Sequence, residues 1–281
     1  MQRCAGHRTR ETDDPRARWW HLACLVHNLP MDAATDSRVS LAQGRLRSLI
    51  EAVVVVAGVV AILYTDRQPF VTAETDAVAR IFISGAEMLA LVGAVVALGQ
   101  SWSSLALGGR DVLRQLLFGF MVAPPAYVLV GFGSGVVVIA AMLLGGVTVE
   151  GIMQAKKPMF EATGGVSPSM ILPVSFFVGF YEEFIFRGFL QSRLSNVTRN
   201  LPAAVVVTAL VFGGLHYPTQ GWLGAAQTAS LGLVLGALVA WRRSLWPAVT
   251  CHAGIDTIGL ALILWVRPLL EETLHQLQHR S

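Results

Sequence analysis

Long runs of apolar residues separated by short polar stretches cover most of the chain after residue 46. Seven of these runs are bounded by charged residues and have about the length that a helix needs to cross a bilayer. None alternates like a barrel strand, and only helices satisfy their own backbone hydrogen bonds in lipid. The pattern predicts an all-α, polytopic membrane helical bundle of about seven transmembrane helices, at about 47–64, 81–99, 116–145, 170–192, 201–217, 222–241 and 246–266. The third is long enough to tilt, or to kink at Pro124–Pro125.

Residues 1–40 differ from the rest of the chain, because they are polar and their only apolar cluster, WWHLACLV, is too short to span. We predict a disordered N-terminal extension over 1–40 and a membrane domain over 41–281, with its catalytic core at about 170–266. Met31 starts a more usual membrane-protein N-terminus, so residues 1–30 are a disordered extension or an over-long gene prediction.

Composition agrees with this pattern, since 54% of the residues are hydrophobic and only 14% are charged, against about a quarter in a soluble domain. The net charge of +3 is spread in ones and twos along the chain, which argues against nucleic acid as a partner. The three cysteines are an odd number and indicate no disulfide framework.

Basic residues in the short loops predict the orientation, because they favour the cytoplasmic side. With seven spans, one side carries Arg38, Arg45, Arg47, Arg110, Arg114, Arg193, Arg199, Arg242 and Arg243. The other side carries Arg67 and Arg80, offset by Asp66, Glu74 and Asp76, and then Lys156 and Lys157. We therefore expect an integral multi-pass protein of a bacterial cytoplasmic membrane, with its N-terminus in the cytoplasm.

Ionisable residues inside the spans are costly in lipid and so are candidates for function. Glu51 lies one turn after Arg47, a spacing that predicts an interfacial ion pair. Glu87 lies deeper and has no local partner in the sequence, so it supports a site or faces a polar seam.

The fourth span carries two adjacent carboxylates in SFFVGFYEEFIFRGFL. Neighbouring helical residues point about 100° apart, so Glu182 and Glu183 should have different roles. Arg187 follows Glu183 by four residues, the spacing of a helical ion pair that would anchor Glu183. Glu182 is then free to face a cavity as a candidate general base. The alternative is a purely structural ion-pair patch between helices.

Two histidines and an acid complete the set. His216 ends the fifth span, and His252 shares a helical face with Asp256 in the seventh. At a rise of about 1.5 Å per residue, Glu182, His216 and His252 fall within roughly 8 Å of one another in depth. Such residues could meet near the midplane, around a metal ion or a water molecule.

The motifs EEFIFR (182–187), FGGLH (212–216) and HAGID (252–256) resemble the EExxxR, FxxxH and Hxxx(N/D) motifs of the CPBP family, over about residues 100–266. This family contains CAAX prenyl endopeptidases, bacteriocin-processing enzymes and abortive-infection (Abi) proteins. The resemblance implies an intramembrane endopeptidase, which is described either as a metalloprotease or as a glutamate protease without a metal.

Carried over to this chain, the resemblance implies that Glu182 activates a water molecule with help from His216, and that Glu183 and Arg187 brace the site. His252 and Asp256 would stabilise the oxyanion, although Asp256 stands where Asn is common and an ionised Asp cannot donate a hydrogen bond. A divalent metal such as zinc would use Glu182 and His216, with His252 and Asp256 as further ligands; the alternative is no cofactor.

We therefore expect a protease of peptide or membrane-protein substrates in the lipid bilayer. Two other functions stay open from the sequence. One is a cation- or proton-coupled transporter that uses the buried carboxylates and histidines. The other is a non-catalytic relative that acts as an immunity or scaffold protein.

Overall fold

The structure is a computed structural model, and it describes residues 31–67, 77–98, 105–107, 111–148, 151–152 and 166–278. The predicted extension over 1–30 lies outside these residues. Six long helical segments follow one another: α1 (Met31–Asp66), α2 (Ala77–Ala97), α3 (Val112–Leu143), α4 (Pro168–Thr198), α5 (Leu201–Arg242) and α6 (Trp246–Gln278). Helix α1 begins at Met31, so the last ten residues of the predicted extension are helical. The chain divides into two compact units, Met1–Leu46 and Arg47–Ser281, and every contact reported below lies within the second.

The outer surface of the second unit is apolar. Within the described residues, six helices are long and apolar enough to cross a membrane. Large side chains of α3 point outward, among them Leu129, Phe132 and Leu143, which are 58%, 70% and 83% exposed. Such a surface needs lipid around it, because exposed apolar area of this extent is unfavourable in water. The chain is an integral multi-pass membrane protein with an all-α bundle, as predicted.

The fifth and sixth predicted spans form one helical segment, α5, that is folded back on itself at Gly221. The backbone of Gly221 has φ 67° and ψ −174°, outside the helical region, and Pro218 precedes this break. A Cβ on Gly213 would lie 2.7 Å from the Cβ of Ala229, and a Cβ on Gly236 would lie 3.0 Å from Val205. A straight helix would hold residues 205 and 236 about 46 Å apart. The two arms, 201–220 and 222–242, are therefore antiparallel, and each is long enough to span.

Helix α4 changes its winding in its middle. A short 3₁₀ turn (Pro168–Met170) leads into α-helix (Ile171–Glu183), then π-helix (Phe184–Leu190), then α-helix again (Gln191–Thr198). The wider π turn begins directly after Glu183 and contains Arg187. Segments of π-helix are rare and frequently lie at functional sites, because the widened turn redirects the side chains that follow it.

Helix α6 lies between α3 and α4 and contacts both closely. The hydroxyl of Thr250 donates to the backbone carbonyl of Leu116 in α3, at 2.8 Å. On the α4 side, a Cβ on Gly179 would lie 2.9 Å from both the carbonyl oxygen of Val249 and the backbone nitrogen of Ala253. Only glycine permits this approach, which brings the segment after Gly179 against the segment around Ala253.

Several of the basic residues used to predict the orientation lie within helices, and one of them is buried. Arg193 belongs to α4, is only 1% exposed, and donates from Nε to Glu51 Oε2 at 2.7 Å. The prediction that Arg193 is a loop charge is therefore wrong, because a hydropathy pattern cannot show that a partner on a distant helix compensates the guanidinium. The cytoplasmic N-terminus stays a prediction that rests on the other basic residues.

The α5 hairpin yields a test with two neighbouring glycines. We expect Gly213→Ala to lower the free energy of unfolding by about 1–3 kcal/mol, because the added methyl group would overlap Ala225 and Ala229 of the other arm. Gly214→Ala is the control, since nothing lies within 4 Å of its Cβ position. Denaturant unfolding in detergent measures both, and equal stability of the two variants would contradict the hairpin.

Candidate active site

A buried ion pair joins Glu183 and Arg187, as the spacing predicted. Arg187 Nη1 donates to Glu183 Oε1 at 2.7 Å, and both side chains are completely shielded. The guanidinium also lies over the ring of Phe212 in α5, 4.4 Å from its centroid. His252 of α6 adds a third contact, since its Nδ1 lies 2.9 Å from the same Glu183 oxygen. Glu183 therefore binds a cation of its own helix and an imidazole of another.

The side chain of Glu182 points away from that of Glu183, as the angle of about 100° between neighbouring helical side chains predicted. Its Oε1 lies 3.8 Å from His216 Nε2, and its Oε2 lies 3.7 Å from His252 Nε2. Asp256 completes the group, with Oδ2 at 3.6 Å from His252 Nε2. We call Glu182, His216, His252 and Asp256 the acceptor cluster. The structure brings all four together: the depth estimate allowed Glu182, His216 and His252 to meet, and the four-residue spacing placed Asp256 beside His252. Their catalytic roles stay predictions.

The hydrogen bonds of the two imidazoles indicate which nitrogen of each ring carries the proton and which has a free lone pair. His216 Nδ1 lies 2.8 Å from the carbonyl oxygen of Phe212, one turn earlier. His252 Nδ1 faces the carboxylate of Glu183. Both partners only accept hydrogen bonds, so both Nδ1 atoms carry the proton. In the neutral rings Nε2 is then an acceptor, and it is directed at Glu182.

The acceptor cluster is mostly buried, and one of its sides is more exposed than the rest. Glu182 is 9% exposed and His252 is 3% exposed, whereas the side chains of His216 and Asp256 are 21% and 28% exposed. The open side thus lies at His216 and Asp256. A reacting group would approach Glu182 from there, and the fixed pair Glu183–Arg187 lies behind it.

The other two intramembrane carboxylates do not join this cluster. Glu51 makes the predicted pair with Arg47, whose Nε donates to Oε1 at 2.8 Å, and it also binds Arg193. Glu87 is exposed on the outer surface of α2. Within the described residues it makes no ion pair or hydrogen bond with the site, so the structure does not place it as a supporting group.

Sequence reasoning missed one group at the site. The hydroxyl of Tyr181 donates to Glu182 Oε1 at 3.3 Å. Neighbouring helical residues usually do not face each other, so the pattern FYEE gave no reason to expect this contact. The only sequence feature that could have indicated this contact is that Tyr181, a residue with a hydroxyl group, directly precedes the two glutamates.

The acceptor cluster contains the types of side chain that bind metal ions. Two imidazoles and carboxylates suit zinc chemically, and bonds of 2.0–2.1 Å in a tetrahedron separate neighbouring donors by about 3.3 Å. The separations of 3.7 and 3.8 Å around Glu182 are wider. Among the described residues, no three His, Cys, Asp or Glu side chains are arranged to hold an ion. The arrangement as it stands does not fit a metal centre, so no chemical step below uses one.

The Glu183–Arg187 pair yields a stability test. We expect Arg187→Met to lower the free energy of unfolding by about 3–5 kcal/mol, because it leaves the Glu183 carboxylate buried without its cation. The double variant Glu183→Gln/Arg187→Met should recover a large part of this loss. The control Arg114→Met removes an exposed guanidinium and should change stability by less than about 0.5 kcal/mol. Denaturant unfolding in detergent measures all three, and a double variant no better than Arg187→Met would contradict the argument.

The chain was compared with known families, curated proteins and solved structures. Residues 165–258 match the family described as type II CAAX prenyl endopeptidase Rce1-like. No curated protein and no solved structure matches the chain. The matched residues contain the acceptor cluster and the Glu183–Arg187 pair, so the resemblance predicted from the three motifs is confirmed over 165–258: this part of the chain matches a family of CAAX-type endopeptidases.

Proposed function

We propose that the chain is an intramembrane endopeptidase in which Glu182 and His216 activate the water molecule that hydrolyses a peptide bond. The observation that carries this proposal is the acceptor cluster itself, in which a carboxylate faces the Nε2 atoms of two histidines inside an apolar bundle. The family match over 165–258 supports a protease, and the finer assignment of roles is ours.

The first step uses the gap between Glu182 and His216. Their facing atoms are 3.8 Å apart, too far for a direct hydrogen bond and close enough that one water molecule between them lies within hydrogen-bond distance of both. We assign one hydrogen of this water to each of the two atoms. The water oxygen then keeps its lone pairs for attack on the scissile carbonyl carbon. Glu182 takes one proton as the C–O bond forms, and it returns this proton to the amine nitrogen as the C–N bond breaks.

The second requirement is a donor for the oxyanion of the tetrahedral intermediate. An ionised Asp256 cannot donate, so we assign it the role of orienting His252 through Nε2. His252 has Glu183 at one ring nitrogen and Asp256 at the other, so it can carry a proton on each and present the Nε2 proton to the oxyanion. Glu183 and Arg187 hold this ring in place from behind.

The substrate we propose is a peptide or a membrane-protein segment that reaches the cluster on its open side, at His216 and Asp256. The helices that carry the cluster are long and apolar enough to cross a membrane, so we expect the substrate to be cleaved in or near the bilayer. We propose a bacterial cytoplasmic membrane as the location, with the N-terminus in the cytoplasm.

Cleavage of a peptide library by the purified, reconstituted protein tests the proposal. We expect Glu182→Gln and His216→Ala each to lower the rate constant for cleavage by about 10²–10⁴-fold, the contribution typical of a general base. The matched control is Glu87→Gln, which makes the same change in a carboxylate on the outer surface of α2 and should leave the rate unchanged. Cleavage that survives both active-site substitutions would contradict the proposal, and solute flux across liposomes without cleavage would favour a transporter.

The metal question has its own test. We expect cleavage to survive a strong chelator, and the purified protein to contain less than one equivalent of zinc, because the donors around Glu182 are spaced too widely for an ion. Elemental analysis and activity before and after chelation measure this. Activity that is lost with the chelator and restored by zinc would show that the cluster closes around a metal in the working enzyme.

A further inference from the structure

Tyr181 contacts the one carboxylate oxygen on which the proposed chemistry depends. Its hydroxyl donates to Glu182 Oε1, and this is the same oxygen that faces His216 across the 3.8 Å gap. A hydroxyl can donate where the other members of the cluster accept. Tyr181 can therefore give Glu182 Oε1 a contact that the rest of the cluster does not.

Few hydrogen-bond donors lie around Glu182 among the described side chains. With neutral rings, His216 and His252 present acceptor nitrogens to Glu182, because each Nδ1 proton is already bound to Phe212 or to Glu183. Asp256 presents carboxylate oxygens. A second proton on His252 would point toward Glu182 Oε2 and Asp256, not toward Oε1. Among the described side chains, Tyr181 is thus the donor to Oε1.

The ring of Tyr181 is held so that this contact is made. Its centroid lies 5.3 Å from that of Phe177, which in turn packs 4.6 Å from Phe82 of α2. Gly85 of α2 leaves room for both rings, since a Cβ there would lie 2.5 Å from Phe177 and 2.8 Å from Tyr181. Side chains of adjacent helical residues diverge, so this packing is what turns the hydroxyl toward Glu182.

We propose that Tyr181 is a positioning residue of the site. Its hydroxyl fixes Glu182 Oε1 at the edge of the gap to His216, and it leaves the second lone pair of that oxygen to accept the proton of the attacking water. Helix α2, which contributes no member of the acceptor cluster, acts on the site through Gly85 and the two rings. This inference rests on the proposed function, because it assigns Tyr181 a part in that same proton transfer.

Tyr181→Phe tests the inference, because it removes the hydroxyl and keeps the ring that packs against Phe177. We expect kcat for peptide cleavage to fall by about 10- to 100-fold, the range for losing a hydrogen bond to a charged group, with KM within about twofold of wild type. Tyr127→Phe is the matched control, since it removes a hydroxyl from α3 and should leave kcat unchanged. Gly85→Ala is a second variant that displaces the ring without altering the hydroxyl, and it should lower kcat as well.

The outcomes separate this inference from the proposed function. If wild type cleaves and Tyr181→Phe keeps the wild-type kcat, the inference is overturned and the proposed function stands. If Tyr181→Phe raises KM and leaves kcat unchanged, Tyr181 contacts the substrate and is not a positioning residue. If wild type itself cleaves no peptide while its thermal unfolding is cooperative, both fail. Unchanged thermal stability of Tyr181→Phe with a lower kcat supports the inference.

Discussion

The buried ion pair between Glu183 and Arg187 is the interaction on which the rest of the site depends. Two charges in the middle of an apolar helix are costly in lipid unless each has its partner, and here both are fully shielded. The pair also joins three helices, because His252 of α6 bonds to the carboxylate and Phe212 of α5 lies under the guanidinium. Each of the three helices that carry the acceptor cluster thus contributes a residue to this buried pair or to its contacts.

Close backbone approach makes that anchor possible. His252 reaches Glu183 at 2.9 Å because α6 packs against the backbone of Gly179, one turn before the glutamates. Likewise, the break at Gly221 returns the chain so that the second arm of α5 packs against the first, which carries Phe212 and His216. Small residues thus determine where the helices meet, and the polar groups are placed by that packing.

The sequence predicted those features that repeat at helical spacing or follow from length. The apolar runs gave the helices, and the four-residue spacing gave the pair Glu183–Arg187 and the shared face of His252 and Asp256. Contacts between distant helices have no such period, so the bond from Arg193 to Glu51 and the contact of Phe177 with Phe82 could not be predicted. The π-helical turn after Glu183 was missed for a similar reason, because winding depends on what the helix packs against.

The two adjacent glutamates differ in whether a cation compensates their charge, and this difference gives the site its direction. Glu183 receives strong donors from Arg187 and His252 on a single oxygen and is held as a fixed anion. Among the described side chains, Glu182 receives one long hydrogen bond, from Tyr181, and the two imidazoles that face it lie at 3.7 and 3.8 Å. The carboxylate of Glu182 is therefore stabilised most by a molecule that donates hydrogen bonds to it, and water is such a molecule. One helix thus carries an inert charge and a reactive one in neighbouring positions, because consecutive side chains face different partners.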